Sequence, residues 1–450
     1  MRVLSAAFLS VLTLTACASD DKPIQTDGGG ADLKLSDASI VGDGATQTDG
    51  AAHDGLSGDG LTADAGTQPL QLPVAIGLVA INSDYQTSSL ALIDAKTNAV
   101  TKDDCVNSGT TSPQLTAALS GDLALPSQPL PGNKLVIIDR KNATLTWVNP
   151  QSCAVDRQIN VGTGFAANPQ DLVVVNGKIY VARLEKNTKP TADPKDYDDG
   201  SDLLIVDDKT GSIDGRIDLS SYATTAAKPV WPRPSRLLVA NGKIYVSLNN
   251  LGPNYAADEF GHGRVLEIDP GTNTVSKTFD LPSLSNCVGL SVSAQPGGLV
   301  LVCNGNFMAA KQLDDSGVAW IPLQAGAPPQ KVVLAKAAGG PLGFSLISTL
   351  GPDKTVVSTA GDFSGTPPDR LFVVDFARDK ATHFFDGTGG FVLQSAVVNP
   401  LTQQLYVAQA DAKTPLVKVF DLSKAGQPVV GADIKASAKT GLPTQLIGWY

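Results

Sequence analysis

A stretch that occurs twice constrains this chain more than any other feature. Residues 171–181 read Asp-Leu-Val-Val-Val-Asn-Gly-Lys-Ile-Tyr-Val, and residues 236–246 read Arg-Leu-Leu-Val-Ala-Asn-Gly-Lys-Ile-Tyr-Val. Asn and Gly tolerate the positive φ angles of a two-residue type I′ turn, so each copy predicts a β-hairpin. A third apolar run ending in Asp follows, at 203–207 and 265–269, and after a polar turn a fourth run, at 213–219 and 274–281. Runs such as 172–175 are apolar at every position instead of alternating, as a sheet covered on both faces requires. A four-stranded unit of this kind buries its faces only against further copies of itself.

Copies extend along the chain. Residues 74–82, 89–94 and 99–106 predict three strands of a first unit, and 114–119, 134–139, 144–149 and 155–161 predict a second. The third to seventh units span 171–219, 236–281, 287–334, 343–385 and 392–434. One run, 444–449, is left over, and the first unit is one strand short. If the last run completes the first unit, a ring closes and no sheet edge at the join stays open. The expected fold class is all-β: a seven-bladed β-propeller over residues 71–450, closed by the C-terminal strand joining the first blade.

The N-terminal part reads differently. Met1-Arg2 and the apolar run 3–14 have the pattern of an export signal, too short to span a bilayer permanently. The run ends in Leu14-Thr15-Ala16-Cys17, which resembles the bacterial lipobox. The resemblance implies cleavage before Cys17, acylation of its thiol, and a lipid anchor in the cell envelope, with Ala18 after the Cys favouring the outer membrane. Residues 18–70 hold ten Asp, two Lys and few large apolar side chains, too little to offset the entropy of ordering them. They predict a disordered, self-repelling stalk; an Asp-rich calcium array is the other reading of the same spacing. The stalk carries most of the formal charge of −10. The folded part is therefore nearly neutral and shows no electrostatic footprint for nucleic acid. A monomer is expected, with the membrane as partner through the anchor.

With Cys17 set aside, four cysteines remain, an even number suited to an oxidising compartment. Cys287 and Cys303 flank the turn around 295–298 almost symmetrically, which predicts a bridge between neighbouring strands. Cys105 with Cys153 follows by elimination.

The units Lys243-Ile244-Tyr245-Val246-Ser247 and 265–275, Val-Leu-Glu-Ile-Asp-Pro-Gly-Thr-Asn-Thr-Val, resemble the bacterial Tyr-Val-Thr-Asn (YVTN) repeat propellers. A repeat signature implies the fold well and the activity poorly. In such a fold the turns joining first to second and third to fourth strands share one face, and these are short. Insertions at 185–201, 220–233 and 251–263 fall on the other face, the usual mark of a binding face. They carry Tyr197, Tyr222, Trp231, Arg233, Tyr255, Asp258, Glu259, Phe260 and His262, which read either as recognition residues or as anchors of long loops. Residues opening the innermost strands, Gln114, Asp171, Arg236, Asn286, Gln394 and Gln445, are expected to line the axial funnel, with Asp171 and Arg236 placed to pair.

For catalysis the inventory is thin. Beyond His53 there are two His, at 262 and 383, and the propeller has three Glu, at 185, 259 and 267. Propeller lactonases resemble this architecture but use a Glu opening an inner strand, a position no Glu occupies here. No catalytic residue and no metal ligand is assigned; calcium at the acidic run 196–202 is the one cofactor candidate. The functional expectation is a lipid-anchored, non-catalytic propeller that binds a protein, peptide or glycan through its loop-rich face. The alternative is a metal-dependent propeller hydrolase or lactonase.

Overall fold

The chain divides into two units, Met1–Gln68 and Pro69–Tyr450. The computed structural model describes residues 77–293, 297–324, 330–351, 353–361, 364–399, 401–423 and 428–450, all in the second unit. Cys17, the lipobox and the Asp-rich stretch 18–70 lie outside the described residues.

Among the described residues, seven four-stranded antiparallel sheets are the blades of a propeller. Their innermost strands, from blade one to blade seven, are Thr444–Trp449, Leu123–Ala124, Pro169–Val175, Pro234–Ala240, Cys287–Ser293, Leu342–Gly351 and Leu393–Asn399. Blade one is completed from the far end of the chain. Thr444–Trp449 lies antiparallel to Gly77–Ser83, with Trp449 opposite Leu78 and Leu446 opposite Ile81. Backbone bonds from Gly77 N to Tyr450 O and from Tyr450 N to Gly77 O extend the seam.

The core is not central. Among the described residues it consists of seven apolar layers, one between each pair of neighbouring blades. Along Gly77–Ser83, Leu78 and Ala80 face blade seven while Val79 and Ile81 face blade two. Both faces of a strand are thus dry, which is why the sequence shows unbroken apolar runs.

The repeat signature has a mechanism in the turns. Val175 pairs with Lys178 across Asn176 (φ 51°) and Gly177 (φ 75°), as the Asn-Gly pair predicts. The Lys then reaches the Asp that ends the third strand: Lys178 Nζ to Asp207 Oδ2 at 3.1 Å, Lys243 Nζ to Asp269 Oδ2 at 2.7 Å. The other carboxylate oxygen caps the next turn. Asp94 Oδ1 accepts from Lys96 N, Thr97 N and Thr97 Oγ1, and Asp207 Oδ1 accepts from Lys209 N, Thr210 N and Thr210 Oγ1. Four residues past each Asp the backbone has positive φ, at Asn98, Gly211, Asn273 and Asp379, which is where Asn or Gly is least strained.

The Tyr of the motif leaves its own blade in blades three and seven, whereas Tyr245 in blade four donates to Glu267 Oε2 of its own sheet at 2.9 Å. Tyr180 in blade three donates to Asn273 Oδ1 in blade four at 2.7 Å, and Tyr406 in blade seven donates to Asn98 Oδ1 in blade one at 2.7 Å. Both disulfides form as predicted. Cys287 and Cys303 join paired strands of blade five, and Cys105 with Cys153 joins blade one to blade two.

Blade two departs from expectation. Residues 114–119 are not its innermost strand; that strand is Leu123–Ala124. The amide of Gln158, on the outermost strand of the blade, takes up the backbone of 116–117 instead: its Oε1 accepts from Thr116 N and Ala117 N, and its Nε2 donates to Ala117 O. Those groups are then not left for a ladder, and Pro126 and Pro129 stop the real strand early.

Two predictions follow from these ties. Tyr180→Phe and Tyr406→Phe are each expected to cost about 1 kcal/mol, additively, in urea denaturation, and mutation of both Cys105 and Cys153 to Ser about 2–5 kcal/mol. Acid is expected to loosen the turns. Hydrogen bonds hold Asp94, Asp207 and Asp269 below the usual carboxylate range. A depressed folded pKa means stabilisation that is complete above the unfolded value, about 4, and is lost as pH falls through the folded values. Burial raises Asp171 and Asp369, which lose stability in the opposite sense as pH rises, but they are two against nine depressed carboxylates among the described residues. The urea midpoint should therefore fall between pH 6 and pH 3.

Candidate functional site

Loops joining second to third strands, and blades to each other, share the face opposite the Asn-Gly turns. In blades three to five they run over 187–199, 218–233, 249–261 and 304–316. The insertion is thus broader than the sequence implies, because blade five adds a loop containing the short helix Gln312–Asp315. The linkers 103–122 and 431–443 rise on the same face from blades one and seven.

One side chain ties two of these loops, 218–233 and 249–261, to the strand ends that flank the first. Arg233, 1 % exposed, donates from Nη1 to both oxygens of Glu185 at 2.8 and 2.9 Å and to the Tyr255 hydroxyl at 2.6 Å, and from Nε to Leu251 O at 3.2 Å. Its guanidinium lies over the rings of Trp231 and Tyr255, 5.1 and 4.6 Å from their centroids. Its backbone N donates to Ser201 Oγ at 2.9 Å. Burial, together with the Glu185 carboxylate, pushes the Tyr255 hydroxyl up to about 12 against the opposing charge of Arg233, so it stays protonated. Two backbone clasps hold the rest: Lys228 N to Asp258 O at 3.0 Å and Trp231 N to Leu251 O at 3.0 Å. Asn306 Nδ2 donates to Ala257 O at 2.8 Å and Phe260 meets Phe307 edge to face at 5.0 Å, which brings in blade five.

The residues singled out from sequence therefore separate into two groups. Trp231, Arg233 and Tyr255 form the clamp. Glu259 is buried and serves its own loop, accepting from Asn254 N, Asn254 Nδ2 and Ala256 N. Tyr197 and Tyr222 pack against the apolar layers flanking blade three. Phe260 remains half-buried at the surface, with exposed Asp258 paired to exposed Lys228 at 3.0 Å. His262 faces outward to Asp280 at 3.3 Å. Asp258, Glu259 and His262 thus point to three different partners and do not converge, because the Gly-flanked loop is closed internally by Glu259.

The acidic run 196–202 is also partnered. Asp196 and Asp198 accept from Thr191, Asp199 pairs with Arg216 at 2.7 Å, and Asp202 pairs with Arg183. Both partners of the last pair are 0 % exposed, and Arg183 also donates to Thr163 Oγ1 and Tyr197 O. Sequence reading missed Arg183; the signal available was an Arg inside an otherwise apolar strand. Among the described residues, no three of His, Cys, Asp and Glu are grouped so as to hold a metal ion.

The predicted funnel ring is only partly at the axis. Gln114 sits exposed in a turn, because the innermost strand of blade two begins after it. Asp171 and Asn286 are buried behind the wall. Arg236, Gln394 and Gln445 lie part-buried on innermost strands. Asp171 and Arg236 do not pair directly: Asp171 accepts from Ser127 N and Leu237 N, while Arg236 donates to Val288 O and Gln170 O.

No family model and no curated protein matches this chain. Solved structures do. A protein from Lactobacillus plantarum aligns with TM-score 0.53 at 11 % identity over 84 % of this chain and 100 % of that one. A candidate 6-phosphogluconolactonase from Bacteroides fragilis aligns with TM-score 0.51 at 13 % identity over 87 % and 100 %. Hydrazine synthase from Kuenenia stuttgartiensis aligns with TM-score 0.50 at 14 % identity over 80 % and 99 %. Identities this low establish a shared fold and nothing more.

Arg233→Met is expected to destabilise the domain by about 3 kcal/mol, since it strands Glu185 without its partner. Hydrogen exchange should then speed up in 187–199 and 249–261 more than in the blades, whereas Arg233→Lys should restore part of the protection.

Proposed function

We propose that this protein is a lipid-tethered, non-catalytic recognition propeller of a bacterial cell envelope, which holds a protein, peptide or glycan on the loop face over blades three to five. The observation that carries the reading is the Arg233 clamp. Long loops are costly to order on binding, and here loops of neighbouring blades are already fixed to one another. Fixed loops present Phe260, Phe307, Asp258 and Lys228 as one surface, a half-buried aromatic pair beside charged groups.

The tether rests on Leu14-Thr15-Ala16-Cys17 and on the Asp-rich stretch after it, which would space the propeller from the lipid. Two disulfides support an oxidising compartment outside the cytoplasm. The YVTN likeness supports the same setting through its repeat units alone.

Two measurements test this. Cys17→Ser should abolish incorporation of labelled fatty acid and move the protein from membrane to soluble envelope fractions. In affinity capture from envelope fractions, a Phe260→Ser/Phe307→Ser variant with unchanged thermal stability should lose at least about ten-fold of the partner bound by the wild-type domain. Retention of every partner by that variant would remove the loop face from consideration.

A further inference from the structure

The innermost strand of each blade turns one backbone edge toward the axis, where no fifth strand is available to pair with it. Side chains and a short segment stand in for that strand. Gln128 matches both backbone groups of Val239, accepting from its N at 2.7 Å and donating to its O at 3.3 Å. Ser127 N donates to Asp171 at 3.0 Å. Leu125 packs so closely on Gly448 that a Cβ there would lie 2.8 Å from Leu125 Cδ1. Residues 125–128 therefore touch the innermost strands of blades one, three and four. They belong to a first-to-second strand connection, so they narrow the channel at the end of the Asn-Gly turns. The loop-rich face is the opposite end.

Above this floor stands Arg236. Its Nε donates to Val288 O in blade five at 3.3 Å and its Nη1 to Gln170 O in blade three at 3.3 Å. Among the described residues Nη2 has no acceptor and the guanidinium has no ion pair. The acid that balances it electrostatically, Asp171, is fully buried and already accepts three backbone N–H groups. Gln394 and Gln445 occupy the innermost strands of blades seven and one. Tyr85, 57 % exposed, donates its hydroxyl to Gln445 Oε1 at 3.4 Å.

We propose that the mouth of this funnel binds the C-terminal carboxylate of an extended peptide, with Arg236 as the anchoring cation and the Tyr85 hydroxyl at the rim. A half-used guanidinium, part-buried and held by two carbonyls, is suited to a charge-assisted bond with a carboxylate. Strand edges are the partners a peptide main chain requires, and the floor at 125–128 stops a chain once its end has entered. The inference rests on the recognition reading above and deepens it, assigning the peptide class and a second contact point at the axis.

The test is calorimetric titration of the whole domain with tetra-alanine as the free acid, the same peptide amidated at its C-terminus, and glucuronate. The free acid should bind about ten-fold or more tightly than the amide, and added salt should weaken it. Arg236→Gln should erase the difference between acid and amide, and Arg236→Lys should recover only part of it. Should Arg236→Gln fail to fold, Arg236→Lys and Tyr85→Phe carry the test; Tyr85 is a surface loop residue, and its loss should weaken the acid two- to five-fold, by about the worth of one hydrogen bond. Equal binding of acid and amide, no binding of either up to about 10 mM, or preference for glucuronate would overturn the proposal. Capture of a partner that persists in Arg236→Lys but fails in the Phe260/Phe307 variant would leave the loop-face reading standing and remove the funnel alone.

Discussion

What the ring depends on, at four junctions from blade seven round to blade four, is a side chain passed from one blade to the third turn of the next. Apolar packing between blades is strong but not directional, and flat sheets covered in Val, Ile and Leu can slide against each other at little cost. A hydrogen bond from Tyr180 to Asn273, or from Tyr406 to Asn98, fixes the offset of one sheet against its neighbour. The receiving Asn is itself held, since it sits in the positive-φ corner of a turn capped by Asp269 or Asp94. Between blades one and two and between blades two and three, where the Tyr–Asn pair lapses, another bond occupies the same place. Cys153 stands at the corner position in blade two and is bonded to Cys105 of blade one. Gly211 stands there in blade three, and the tie shifts to neighbouring Asp208, which pairs with Lys134 and Arg157 of blade two. The chemistry varies but the location does not, which argues that geometry at this spot is what the fold must secure.

That logic explains what could be read from the chain. The Asn-Gly hairpins, the Ile-Asp ends and the leftover run at 444–449 are local patterns with one low-strain conformation each, so strand order and ring closure follow from them. Blade two was illegible because its decisive contacts are long-range. Nothing within 114–119 announces that Gln158, some forty residues later, will capture its backbone. Likewise Asp171 reads as a funnel residue from its place at a strand opening. It is buried because Ser127 and Leu237, from two other blades, bring their N–H groups to it. The candidate site follows the same division: the loops and their aromatics were visible, but which of them would serve Arg233 was decided by Glu185 on a strand of another blade.

Variation is admitted at the opposite end of the blades by a second regularity. At the residue five past the start of the second-strand motif stand Asn82, Asp139, Arg183, Thr359 and Gln409, all buried and polar. In blades four and five the position is Leu248 and Cys303, and a buried Asn follows at 249 and 304. Most of these reach the overlying loops: Asn82 donates to Ala436 O, Asp139 accepts from Ser120, Arg183 donates to Tyr197 O. A buried polar group must be satisfied, and loops supply many possible carbonyls and N–H groups. Blades one, two, three and seven therefore offer a hook, and loops of different length and sequence can hang from it without changing the sheet below.

The two ends of the propeller thus obey opposite rules, and the difference bears on recognition. Turns at one end are short, capped by Asp and bonded to the next blade, so they leave little freedom for a ligand to exploit. At the other end the frame is fixed while its coverings are long, and the Arg233 clamp removes much of the entropy those coverings would otherwise lose on contact. A buried ion pair is a poor device for stability alone, because desolvation offsets much of its attraction. Placed where two loops meet the strand end that leads into a third, as Arg233 and Glu185 are, it instead selects one arrangement of those loops over the alternatives, and a single arrangement is what a surface needs before it can tell one partner from another.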